Sequence, residues 1–247
     1  MNYKLFLCAS LLMNSFAFAK IDIDKQDKID GVTLLSGKDS SNRTYQGTVE
    51  KTFYQPLAGV QAGILNFEAK CNNKFKDKRV YTDKKRDCKY HNENIVESFV
   101  IKNIKQNGWT KLNGEIERFV IGRKVYNRGE FGYYELVTVV ESKNPLNQKM
   151  ITITQRMLSD KEAKTYVDPK FEKDSAFNHS TSQFVLTEIE SNKTLLKFEY
   201  KAHTDHWVLN KEVSVPQVFA SISKSINDLL HAIDQESVIQ SRNIAAQ

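Results

Sequence analysis

Of the three cysteines in this 247-residue chain, one lies in the apolar opening and only Cys71 and Cys88 remain in the body of the protein. Two thiols without a CxxC spacing supply neither a zinc ribbon nor a thioredoxin-type redox centre. There is no HExxH pair and no acidic cluster with ligand spacing, so the sequence predicts no bound metal. The glycines at Ser36-Gly37, Gly47 and Gly122 fit neither a P-loop nor a dinucleotide fingerprint, which disfavours nucleotide enzymes, and no cofactor is expected. No serine sits in a G-x-S-x-G elbow, which makes nucleophilic hydrolysis a weak reading. A dense basic block is also missing. The 36 Lys and Arg against 30 Asp and Glu give a net charge of +6. The one cluster, Lys74 to Lys89, is interrupted by Asp77, Asp83 and Asp87 and reads as a solvated loop. Nucleic acid is therefore not an expected partner, and transient contact with an anionic membrane surface is the minor alternative to a solvated loop.

The chain opens with MNYKLFLCASLLMNSFAFA, one lysine followed by an apolar run ending in the small-x-small triplet Ala17-Phe18-Ala19. This is the pattern of a secretory signal over residues 1–19, cleaved before Lys20, and it predicts an exported protein, periplasmic or secreted. A membrane anchor is the alternative, but the run is shorter than the roughly 20 residues that span a bilayer, and polar sequence follows at once. Export places Cys71 and Cys88 where disulfides persist, and their pairing is expected to contribute about 3 kcal/mol by restricting the Lys- and Asp-rich loop between them. Residues 20–237 read as one domain, with 238–247 as a fraying tail. Three sequons, at Asn42, Asn178 and Asn192, matter only in a glycosylating host.

The strongest periodicity lies in Ser214–Ile233. Val215, Val218, Phe219, Ile222, Ile226, Leu229, Leu230 and Ile233 fall on one helical stripe. Ser214 and Gln217 have capping-box spacing, and Pro216 occupies the first turn. Most of the chain before this helix reads as strand. Tyr45–Tyr54 is followed by Pro56 and a short helix carrying Leu57, Val60, Ile64 and Leu65. Residues 20–42 have room for a short helix and an edge strand. Antiparallel runs then occupy Ile95–Lys105, Glu115–Tyr126, Phe131–Glu141, Lys149–Leu158, Gln183–Glu190 and Thr194–Ala202, with Asn107-Gly108, Asn113-Gly114 and Asn127-Arg128-Gly129 as turns. Ser159 with Glu162 begins a short helix inside a connection, 159–177, that reads equally as a lid or an ordinary link. These signals give an α+β fold in which a curved antiparallel sheet covers one long helix.

The segment IDGV at Ile29–Val32, the stretch GTVEKTFYQPLAGVQAGILNFE and the closing HWVLNKEVSVPQVFASISKSINDLL together resemble the START-like, helix-grip superfamily. The likeness runs from Ile29 to Ile233. The family's proline-tryptophan-proline stretch is replaced here by YNRGEFGYYELVTVV. The resemblance implies binding or carriage of a lipid or other apolar ligand between the sheet and the C-terminal helix. Family members with other roles, cyclases among them, leave activity open.

Phe219, Ile222 and Ile226 are the candidate lining of such a cavity. Arg118, Tyr134, Glu135 and Arg156 are polar groups inside apolar runs that require partners or a ligand headgroup if they face inward. His203, Asp205 and His206 form the densest group of potential ligands, and His206 beside Trp207 stands where a cavity mouth would be. Two other readings stand beside the carrier: a hydrolase- or cyclase-like enzyme using the same cavity, and a secreted interaction module with a filled core. The sequence gives no oligomeric state.

Overall fold

The computed structural model of the chain describes residues 22–39, 41–88, 95–104, 113–126, 130–166 and 178–246. The leader expected at 1–19, the turns expected at 107–108 and 127–129, and the part of the expected connection from 167 to 177 lie outside the described residues.

Nine strands form one antiparallel sheet: β1 (Ile23–Ile29), β2 (Val32–Asp39), β3 (Asn42–Phe53), β4 (Ile95–Asn103), β5 (Glu115–Tyr126), β6 (Glu130–Lys143), β7 (Lys149–Met157), β8 (His179–Glu190) and β9 (Lys193–Thr204). Their order is β1-β2-β3-β9-β8-β7-β6-β5-β4. The first segment differs from its sequence reading. In place of a short helix and one strand, β1 and β2 form a hairpin whose turn, Asp30-Gly31, has φ of 48° and 84°. Positive φ at both central residues matches the twist of the flanking strands. As an edge strand, β1 presents Lys25, Asp27 and Lys28 to solvent, and these charges oppose pairing with another chain.

Among the described residues three α-helices accompany the sheet: α1 (Leu57–Leu65), α2 (Asp160–Tyr166) and α3 (Val215–Ala245). The sheet curves far enough for α3 to touch both of its edges. Ser223 Oγ donates to the Ile29 carbonyl of β1 at 2.9 Å, while Ala232 and Leu229 pack on Ile95 of β4. The concave side is filled by alternate residues of each strand, including Phe119 and Ile121 of β5, Val137 and Val139 of β6, Ile151 and Ile153 of β7, and Leu196 and Phe198 of β9. The period of two places all of these on one face. The convex side is partly covered as well, because Val120, Tyr134 and Leu158 pack with Ala163 of α2.

Of the two capping boxes, one forms. Ser159 Oγ accepts from the Glu162 amide at 3.3 Å, and Glu162 reaches back to the Ser159 amide at 3.0 Å. Ser214 is instead helical in conformation, is the last residue of the 3-10 turn Glu212–Ser214, and donates its hydroxyl to the Val208 carbonyl at 2.8 Å.

The sequence reading ends the last helix at Ile233 and lets residues 238–247 fray, but α3 continues to Ala245. What holds the extension is small-residue contact. A Cβ at Gly59 would lie 2.0 Å from Ser241 Oγ, and one at Gly63 would lie 3.0 Å from the Ser237 amide nitrogen and 3.1 Å from the Ile233 carbonyl oxygen. Backbone meets backbone here, and an apolar stripe is not needed. In a helix, Gly→Ala ordinarily stabilises by up to about 1 kcal/mol. Gly63→Ala is expected to reverse that sign and cost about 1–3 kcal/mol, since main-chain atoms cannot step aside. Urea denaturation followed by circular dichroism measures it.

Candidate functional site

The stripe of α3 lies directly on β2 and β3. Phe219 meets the Tyr45 ring edge-on at 6.2 Å between centroids. A Cβ at Gly47 would sit 2.7 Å from Ile226 Cδ1 and 3.1 Å from Ile222 Cγ2. Phe219, Ile222 and Ile226 are thus buried in core packing on this half of the sheet. Glycine at position 47 is what lets the helix approach so closely.

The other half of the concave face is polar at one level. Arg123 shares a parity with Phe119 and Ile121, and Glu135 and Gln155 occupy the matching face of β6 and β7. Arg123 Nε donates to Glu135 Oε2 at 2.8 Å, and its Nη2 donates to Gln155 Oε1 at 3.1 Å. All three are buried. Since Arg123 can only donate, it fixes the Gln155 amide with its oxygen inward, and Gln155 Nε2 is then left buried without an acceptor. Such a donor costs about 1–3 kcal/mol if nothing completes it.

Above this pair, the chain leaving α1 brings Lys70 into the interior. Lys70 is 3% exposed. Its ammonium donates to the Ile64 carbonyl and stands 4.6 Å from the centre of the Phe67 ring. Burial first, and then the Arg123 charge, pull its pKa down to about 7, against the opposing pull of Glu135 and Glu236. Glu236 of α3 accepts from Asn66 Nδ2 at 2.8 Å. On β9, the Tyr200 phenol is held above its ordinary pKa by burial, with Tyr133 and Glu135 adding to the effect. The concave face therefore carries an apolar floor and a compact group of two cations, two carboxylates and two phenols.

A disulfide-closed loop follows immediately. Cys71 and Cys88 are bonded, with Cα atoms 5.2 Å apart. Inside the loop the Arg79 guanidinium donates to the carbonyls of Asn72, Asp83 and Arg86. Glu97 of β4, fully buried, ties the loop to the sheet by accepting from the amides of Val80, Tyr81 and Thr82 and from Thr82 Oγ1, each at 2.9 Å. Lys124 of β5 adds a bond to the Lys78 carbonyl at 2.9 Å. Lys70 is thus positioned from both sides, by α1 before it and by the anchored loop after it.

Several residues expected from sequence lie elsewhere. Arg118, Tyr134 and Arg156 have the opposite parity and face the convex side, where Arg118 pairs with Glu115, Tyr134 packs beneath α2, and Arg156 pairs with Glu162 at 2.9 Å. The reason is that β5 and β6 are covered on both faces, so polar residues in apolar runs do not by themselves reveal which face is concave. The Arg156 hydrogen bond, reinforced by Ser159, draws the Glu162 pKa down to about 2. His206 is exposed in the turn after β9, its ring 6.3 Å from that of Trp207. His203 turns instead to Thr44, its Nδ1 lying 2.8 Å from the hydroxyl oxygen. Among the described residues, no three metal-ligating side chains converge. Two open grooves mark the outside. One of about 370 Å3 runs between β1 and the start of α3, past Lys25, Val213 and Phe219, and one of about 590 Å3 lies between α1, Glu117 and Gln240.

Sequence reading missed Arg123, Gln155 and Lys70, although it named Glu135. The available signal was parity: Arg123 interrupts Phe119, Ile121 and Val125, and Gln155 interrupts Ile151, Ile153 and Met157, each on the face that is otherwise apolar.

No family model matches the sequence, and no curated protein matches it. Among solved structures, the chain is similar to human STARD10, at 11% identity over 94% of this chain and 81% of that one, with a TM-score of 0.49. It is similar also to a STAR-related lipid transfer protein fragment from Xanthomonas axonopodis, at 9% identity over 86% and 97% with a TM-score of 0.47. Human StAR-related lipid transfer protein 5 gives 12% identity over 86% and 85%, with a TM-score of 0.44. The fold is a helix grip. The antiparallel sheet is unclosed, and its two edges both reach the long C-terminal helix.

Proposed function

We propose that the protein binds an amphipathic small molecule of lipid type on the concave face of the sheet, with the molecule's polar end at Arg123, Glu135 and Gln155. The observation that carries this reading is the buried Gln155 Nε2, oriented by Arg123 and without an acceptor. A buried donor of this kind asks for an oxygen that the protein does not supply. Phe67, Phe119 and Val137 nearby provide apolar contact, worth about 25 cal/mol per Å2 of apolar area before the costs of association. Lipid transfer, named in two of the similar structures, is in keeping with this proposal, but the support comes from the residues here. We further propose that the protein works outside the cytoplasm, in keeping with its N-terminal pattern and with the Cys71–Cys88 disulfide.

The test is native mass spectrometry and solvent extraction of the protein purified under mild conditions, together with its intact mass. The expected result is a chain beginning at Lys20 that carries a co-purifying amphiphile, and weakened retention of that amphiphile in Gln155→Leu. A protein that is always empty and takes up no apolar probe overturns the binding proposal. A chain retaining residues 1–19 overturns export.

A further inference from the structure

Lys70 serves the fold through one bond, to a carbonyl in the last turn of α1, a small return for burying an ammonium. Its side chain is buried, it has three donors to place, and among the described residues its one hydrogen-bond acceptor is the Ile64 carbonyl. Among the described residues no carboxylate lies within ion-pair distance of it. Burying an ammonium in this way is expensive unless the charge is compensated, and the contact with the Phe67 ring offsets only part of that cost. Around it stand Arg123 from β5, Glu135 from β6 and Glu236 from α3, and Glu135 in turn acts on the Tyr200 phenol of β9. With Lys70 charged, the two cations and two carboxylates cancel. With Lys70 neutral, the same group carries one net negative charge. An incoming anion is repelled in the second state and not in the first.

Building on the amphiphile reading above, we propose that the polar end of the ligand is an anion, that Lys70 contacts it together with Arg123 and Gln155, and that binding takes up one proton onto Lys70. The proton comes from solvent and ends on Lys70 Nζ, and no bond in the ligand changes. Lys70 is suited to this coupling because its pKa, lowered chiefly by burial, stands at about 7. Below that pH the ammonium already exists and the anion meets it directly. Above it, each binding event must first restore the proton, and affinity falls about tenfold per pH unit. A permanently uncharged ligand has no such dependence.

The experiment uses two fluorescent probes with one aromatic body, anilinonaphthalene sulfonate, which stays anionic, and N-phenylnaphthylamine, which is uncharged. Each is titrated into the mature protein from about pH 6 to about pH 9. Expected for the sulfonate is a Kd constant below about pH 7 and rising about tenfold per unit above it, with the uncharged probe flat throughout. In Lys70→Met the sulfonate binds as weakly as it does to the unaltered protein at high pH, and without pH dependence. Calorimetry of sulfonate binding to the unaltered protein in two buffers of different ionisation enthalpy counts protons directly and does not depend on the variant folding. An uptake approaching one proton at about pH 8.5 is expected. A sulfonate affinity indifferent to pH, a pH dependence that survives Lys70→Met, or a proton count of zero overturns the inference while leaving amphiphile binding intact. If neither probe binds, the amphiphile reading itself falls.

Discussion

Arg123→Met is expected to destabilise the protein by about 3–5 kcal/mol, and Arg123→Met combined with Glu135→Leu to recover most of that loss. The Arg123–Glu135 bridge is buried on both sides at 2.8 Å. Removing the arginine leaves the Glu135 carboxylate buried without its hydrogen-bond partner and with only the Lys70 charge near it, and that poorly compensated charge is the main cost. Removing both charges eliminates the desolvation penalty as well as the attraction, so apolar side chains of similar volume come out close to neutral. One further effect favours the double variant: Lys70 loses one like-charged and one opposite neighbour together, whereas the loss of the donor to Gln155 Oε1 is common to both variants. Urea midpoints for the two single variants and the double variant give the coupling directly. The same proteins separate structure from function, because the double variant is expected to fold and yet to lose affinity for the amphiphile. A double variant as unstable as its parents would mean that the pair belongs to the architecture of the sheet and not to a ligand site.

The second large effect is expected at Glu97. Glu97→Ala removes four acceptor contacts at once, three of them from consecutive amides of the disulfide loop, and is expected to cost about 3–5 kcal/mol. Glu97→Gln, which keeps one acceptor oxygen, should cost roughly half as much. The mode of failure is specific. The Cys71–Cys88 bond keeps the two ends of the loop together, so without Glu97 the loop detaches as a tethered unit while the sheet remains. Trypsin should then cut at Lys84, Lys85 and Arg86 well before it degrades the rest, and the fragments should stay joined until a reductant is added. Global unfolding with no preferential cleavage in the loop would show that Glu97 supports β4 itself.

Much of the scaffold is visible in the sequence because local rules and tertiary structure agree there. The β5 limits follow from β-branched residues between turn signals, and the stripe of α3 follows from its 3.6-residue period. Agreement ends where a contact has no apolar signature. Gly59 and Gly63 against Ser237 and Ser241 extend α3 by some three turns, yet these residue types read as breakers and solvent-facing positions. It ends also where a strand is buried on both faces. In β5, Arg118 and Arg123 both interrupt apolar sequence, but one meets Glu115 on the convex side and the other Glu135 on the concave side. Alternation shows that they point in opposite directions and not which of them points inward. Lys70 is the hardest case, since it lies in an irregular segment whose path depends on the anchoring of the loop beyond it.

The pairing of β3 with β9 has a temporal consequence. Every residue from Arg43 to Phe53 finds its partner near the far end of the chain, between Thr204 and Thr194. A polypeptide emerging from a ribosome or threading a translocation pore cannot seat its first three strands until almost all of it has come through. High contact order of this kind makes folding slow. It also leaves the early hairpins with an unclosed border that truncation before Lys193 would make permanent. Under the export proposed above, which requires an unfolded chain, that delay is useful, because the join that completes the sheet is among the last parts to arrive.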